Sequence, residues 1–86
     1  MAHNSTTING VKVWFQKDSP RGDRFNVHAY SERDWDYHEI GYVKRNRDRT
    51  WSPGGSPVRY RTRAEAAAST VAEWAKLESR GGREGE

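Results

Sequence analysis

TRAEAAASTVAEWAKLESR, residues 62–80, is the stretch on which the fold turns. Thr62 and Glu65 stand at the T-x-x-E spacing of a capping box, in which each side chain satisfies a free amide of a helix's first turn. From there Ala64, Ala67, Ala68, Val71, Trp74, Ala75 and Glu78 recur at intervals of three and four, while Glu65, Ser69, Glu73, Lys76 and Arg80 fall on the opposite side. The spacing predicts one amphipathic helix, stopped by Gly81 and Gly82. Its apolar stripe is mostly alanine, so it can lie close against a sheet, with Trp74 and Leu77 filling the margin.

Everything upstream of this helix has the period of two expected of strands. VKVWFQ, residues 11–16, sets Val11, Val13 and Phe15 against Lys12, Trp14 and Gln16. KDSPRGD, residues 17–23, supplies the proline and glycine of a turn, and its embedded Arg-Gly-Asp tripeptide is accounted for by that loop. RFNVHAYS, residues 24–31, alternates Phe25, Val27 and Ala29 with Asn26, His28 and Tyr30. After the acidic turn SERDWDYHE comes a third strand from about Tyr37 to Arg45. Its inner residues are either Ile40 and Tyr42 or Tyr37 and Val43, and a bulge near Gly41 reconciles the two sets. NRDR then turns the chain, Thr50–Ser52 suits a short edge strand, PGGSP is a loop, and VRYRT resumes that strand with Val58 and Tyr60 inward. The expected fold is α+β: a three- or four-stranded antiparallel sheet with one C-terminal helix packed on one face. The other face would carry Lys12, Trp14, Gln16, Asn26, His28 and Tyr30.

The chain of 86 residues suffices for one small domain, and only 33% of it is hydrophobic, with a mean hydropathy of -1.17. Residues 1–8 and 81–86 are polar or glycine-rich and are expected to be disordered, leaving a domain at 9–80. There is no cysteine, which excludes disulfides, thiolate metal sites and cysteine nucleophiles. No apolar run approaches the roughly 20 residues that cross a bilayer, and the first ten residues lack the pattern of a signal peptide, so the expected address is the cytoplasm, with no membrane partner.

Charge is segregated along the chain. Residues 41–63 hold seven Lys/Arg, namely Lys44, Arg45, Arg47, Arg49, Arg59, Arg61 and Arg63, against one acid, Asp48. Residues 1–40 and 64–86 each hold more acids than bases. A polyanion is the natural partner of such a segment.

"GYVKRNRDRTW" followed by "YRTRAEAAASTVAEWA" resembles the sheet-plus-helix domains of the AP2 type and the arm-binding domains of phage tyrosine integrases, in the order of Tyr42, Arg45, Trp51, Tyr60, Thr62, Glu65, Ala66 and Ala67. It is also similar to small bacterial and phage β-β-β-α proteins of no assigned function. The AP2 resemblance implies a sheet laid in the DNA major groove, with Arg45, Arg47, Arg49, Trp51, Arg59 and Arg61 on bases, sugars or phosphates. The insertion PGGSP between Trp51 and Tyr60 departs from the AP2 pattern and shifts the register of those contacts.

The remaining chemistry is sparse. His28, Asp34, Asp36, His38 and Glu39 are the one set with metal-ligand or acid-base character, but they lack a recognised spacing such as H-E-x-x-H. No phosphate-binding glycine loop and no nucleophile elbow is present. The expectation is therefore a non-enzymatic protein without metal or cofactor that binds nucleic acid, DNA before RNA, through Lys12, Trp14, Lys44, Arg45, Arg47, Arg49, Trp51, Arg59 and Arg61. The alternative is a module that binds a protein partner through Trp14, Trp35 and a sheet edge, an edge that also suits a homodimer.

Overall fold

Valine and alanine build the centre of this protein. The computed structural model describes residues 5–84. Five strands, β1 (Ser5–Ile8), β2 (Val11–Lys17), β3 (Arg24–Ser31), β4 (Asp36–Arg45) and β5 (Trp51–Pro53), precede one helix, α1 (Arg63–Glu84). The strands form a single antiparallel meander in the order β1-β2-β3-β4-β5, so each pairs with its sequence neighbours. The sheet curls, and α1 packs against β4 and β5 and reaches β1.

The register explains which side chains meet the helix. Val13 lies opposite Ala29, and Phe25 opposite Val43. Val13, Val27, Ala29 and Val43 are fully buried, as are Ala66, Ala67 and Val71 of α1. Phe15, Phe25, Ile40, Trp51 and Tyr60 pack around that centre at its margins. The pairing shifts between Val27↔Gly41 and His28↔Glu39, which leaves Ile40 as the extra residue of a bulge. Because of that bulge Ile40 and Val43 both serve the core, whereas Tyr37 and Tyr42, paired with Tyr30 and Asn26, fall on the outer face. Gly41 matters here for its size: a Cβ at this position would sit 3.1 Å from Cγ2 of Thr70, so the bare backbone lets α1 come close.

Ser5–Ile8 corrects the expectation that residues 1–8 lie outside the domain. They pair with β2 from Ser5↔Trp14 to Ile8↔Val11, and Ile8 enters the core. The turn responsible is Asn9-Gly10, with φ of 54° and 78°, the two left-handed residues that the tightest hairpins require. Residues 1–4 and 85–86 lie outside the described residues.

The capping box forms as expected: the Thr62 amide donates to Oε1 of Glu65 and the Glu65 amide donates to Oγ1 of Thr62, both at 3.1 Å. The buried stripe, however, runs through Ala66, Ala67 and Val71 with Thr70 and Trp74 beside it, while Ala64, Ala75 and Leu77 are exposed. Alanine carries too little apolar surface to fix a helix's rotation, so Val71 and Trp74 set it instead. The helix also continues through Gly81 and Gly82 to Glu84, since glycine in a helix costs only about 1 kcal/mol relative to alanine and does not by itself end it. Val58 is exposed rather than inward, and the return of the chain to the sheet is carried by Tyr60, which exchanges two 2.7 Å backbone hydrogen bonds with Trp51.

Thr62→Ala removes one half of the capping box without touching the core. It is expected to lower stability by about 1 kcal/mol, measured as a shift of the urea unfolding midpoint with unchanged slope; an unchanged midpoint would show that the box contributes nothing.

Candidate nucleic-acid interface

One helix covers one face of the sheet, and among the described residues no second helix lies on the other. Alternation along β2, β3 and β4 places Lys12, Trp14, Gln16, Arg24, Asn26, His28, Tyr30, Tyr37, Glu39, Tyr42 and Lys44 on that open face. Its rings form a continuous cluster across three strands. Trp14 and His28 are 4.4 Å apart between centroids, Trp14 and Tyr37 are 6.4 Å apart, and Tyr30 and Tyr37 are 5.3 Å apart. Cations flank the cluster: the ammonium of Lys12 lies 5.7 Å from the Tyr30 centroid, and the guanidinium of Arg24 lies 3.9 Å from that of Tyr42. Arg24 also pairs with Asp18 at 3.0 Å. Nε2 of His28 donates to Oε1 of Gln16 at 3.0 Å.

The ends of β3 and β4 that carry Arg24 and Lys44 lead into the turn Asn46–Thr50. Backbone bonds from the Asn46 amide to the Thr50 carbonyl and from the Arg49 amide to the Asn46 carbonyl close it, with Arg49 at φ 72°. The Asn46 side chain locks it further by donating to the hydroxyls of Thr50 and Ser52 at 3.0 and 2.9 Å. The acid of this turn does not neutralise the turn's own arginines. Asp48 accepts from the Thr50 hydroxyl at 2.5 Å, from the Thr50 amide at 3.1 Å and from Arg59 at 2.6 Å. The Thr50 hydroxyl foremost, then the Thr50 amide and Arg59, lower the Asp48 pKa to about 2.

Beside the turn, Arg45, Asn46, Arg47, Arg49 and Asp23 line a shallow depression of about 300 Å³. Asp23 is held on its other side by the Ser19 hydroxyl at 2.5 Å, and that bond foremost lowers its pKa, with Arg21 and Arg45 adding attraction. Among the described residues the ion pairs are Arg24–Asp18, His38–Asp34 and Arg59–Asp48, and none involves Arg45, Arg47 or Arg49.

The residues expected to bind nucleic acid thus fall into separate groups. Lys12, Trp14 and Lys44 share the open face. Arg45, Arg47 and Arg49 gather at the depression. Arg59 is tied to Asp48, and Arg61 is exposed just before α1. Trp51 belongs to none of these: it pairs with Arg45 on the inner side and packs 6.0 Å from Phe25 against the core, so its duty is structural. Arg63 likewise lies over the Phe15 and Phe25 rings at 4.5 and 4.3 Å. Conversely, Arg24 joins the open face without having been singled out, and Tyr37 and Tyr42, each weighed above as an inner residue of the third strand, fall there as well. The signal that would have found them is the one-residue bulge, which flips the parity of β4 midway.

The histidine-carboxylate set does not assemble. His38 and Asp34 pair at 2.6 Å, His28 lies on the opposite side of the sheet, and among the described residues no three His, Asp or Glu side chains converge as a metal site would require. Among the described residues no helix is long and apolar enough to cross a membrane. No family model, curated protein or solved structure matches the chain.

Asp48 gives a direct test of the turn's electrostatics. Because its folded pKa is lowered, its stabilising contribution is present above the ordinary carboxylate range and lost as pH falls towards about 2. In a carboxyl chemical-shift titration Asp48 should titrate near that value, and Thr50→Val should raise its midpoint by more than Arg59→Ala does. An Asp48 midpoint at the ordinary value would contradict the geometry of the turn.

Proposed function

We propose that this protein is a non-enzymatic nucleic-acid-binding domain, for DNA in the first instance, that grips phosphates with Arg45, Arg47 and Arg49 and lays the strand along the open sheet face bearing Lys12, Trp14 and Lys44. One observation carries this: three arginines line one depression at the end of the sheet, while the segment's only acid is engaged by Thr50 and Arg59. Three guanidiniums share that depression with one carboxylate, Asp23, and the excess positive charge favours an anion from outside. Phosphate oxygens suit the guanidinium fork, and the locked turn presents the three side chains at little further entropic cost. Arg59 and Arg61 add to the surrounding positive field at longer range.

Binding of this kind releases counterions and weakens steeply with salt. In fluorescence anisotropy titrations at several salt concentrations, replacing Arg45, Arg47 and Arg49 together with alanine should reduce the slope of log affinity against log salt by about two to three. No binding of duplex or single-stranded probes at low salt would rule the function out.

A second reading rests on Trp35, which is 81% exposed in the β3–β4 turn and held there at φ 59°. A rigid, exposed tryptophan is a good anchor for a protein partner. A single partner recovered from nuclease-treated lysate and lost on Trp35→Ala would favour this reading, as would full retention of that partner by the triple arginine variant.

A further inference from the structure

We infer that β1 is a self-association edge, on which a second copy of this chain adds its own β1 antiparallel across a two-fold axis, so that the two sheets become one. An asymmetry between the sheet's two edges carries this. At the β5 edge the outward backbone groups are closed. The amide and carbonyl of Trp51 are both engaged by Tyr60 at 2.7 Å, the Pro53 carbonyl accepts from the Ser56 amide at 3.1 Å, and Pro53 has no amide hydrogen to offer. No further strand can add along that edge. The β1 edge is different. Ile8 and Val11 flank the two-residue turn Asn9-Gly10, so they exchange backbone hydrogen bonds, and alternation makes Thr6 and Val13 the next bonded pair. The amides and carbonyls of Ser5 and Thr7 therefore point away from β2, and among the described residues they meet no backbone partner. Ser5, Thr6 and Thr7 are exposed, and β1 carries neither the lysine nor the proline with which edges are blunted.

The occupant is a second copy because the strand matches itself. Ser5 and Thr7 are placed symmetrically about Thr6, so setting Thr6 against Thr6 of the second copy brings each Ser5 opposite a Thr7 and engages every outward group of both residues in hydrogen bonds. The facing threonines are a pair that antiparallel strands favour. Charge agrees with this register. β1 has no ionisable side chain, so two copies meet at the edge without repulsion. Lys12 stands opposite Thr7 on β2, and beyond Thr7 on the same face come Ser5 and then Trp14 of the second copy, so the lysines of the two copies are not set against one another. With only four residues in β1, the contact is small and the association is weak and concentration-dependent.

Sedimentation equilibrium of the full chain over a wide range of concentration tests this. The mass should rise from that of one chain, 9.9 kDa, towards twice that value. Thr6→Lys and Thr6→Glu each set like charges opposite one another across the axis and should hold the protein as a single chain, whereas an equimolar mixture of the two should restore the dimer. Thr6 is exposed in the single chain, so neither substitution enters the core. Hydrogen exchange of wild-type protein keeps the inference testable if those variants fold poorly: protection of the Ser5 and Thr7 amides should grow with protein concentration while that of the Thr6 and Ile8 amides stays constant. A wild-type mass that remains that of one chain at every concentration would overturn the inference, as would a dimer that Thr6→Lys leaves intact. A chain that stays single yet gains protection at Ser5 and Thr7 from an added alternating Thr-Val peptide would assign the edge to a different protein and overturn it too.

Discussion

The close approach of α1 to β4 is the constraint on which the molecule depends. Gly41 offers no side chain where Thr70 comes nearest, and Val27, Val43, Ala66, Ala67 and Val71 are small enough to fill the narrow layer between helix and sheet. A larger residue at any of these places would push the helix off, because a well-packed interior has no room for added volume. With so small a core, burial supplies modest stabilisation, and the strand pairing and helix cap carry a correspondingly large share. The same economy decides the surface. A single helix can cover only one face, so the side chains of the second face lie outside the valine and alanine core.

On that second face the molecule keeps its ring cluster, and at one end of it stands the arginine turn. The two regions are joined mechanically. Arg24 and Lys44 are opposite one another in the β3–β4 register, the Arg45 amide donates to the Asp23 carbonyl at 2.7 Å, and Asn46 ties the turn to Thr50 and Ser52. The turn is consequently rigid at its backbone while its arginine side chains reach into solvent. Asp48 is absorbed by that rigidity: its carboxylate organises the turn and holds Arg59. It thereby leaves Asp23 as the one carboxylate that lines the depression with Arg45, Arg47 and Arg49.

The sequence made the helix cap, the three long strands and the single-helix α+β plan legible because each rests on local chemistry: a reciprocal T-x-x-E pair, period-two alternation, and Pro/Gly turns. What it concealed required knowledge of partners. Asn9-Gly10 is a strong hairpin signal, but STTI has too little apolar content to be recognised as a strand until β2 is there to pair with it. The rotation of an alanine-rich helix cannot be read from its own residues, so Ala64 and Ala75 were placed inside although they are exposed. Two alternative inner sets for β4 were both half right, since the bulge at Ile40 takes one residue from each. The cluster of basic residues at the turn was evident from charge alone. Trp51 was misplaced because a tryptophan beside a basic run looks the same whether it faces a ligand or, as here, Phe25 and the core.

In the function proposed above, the helix-free face of the sheet and the arginine turn form one binding surface. Mapping backbone amide shifts of isotopically labelled protein on addition of a short oligonucleotide at low salt tests it most directly. Shifts are expected along β3, β4 and residues 46–50, with the solvent-facing amides of α1 unmoved. Shifts centred on α1, or none at any oligonucleotide concentration, would contradict it.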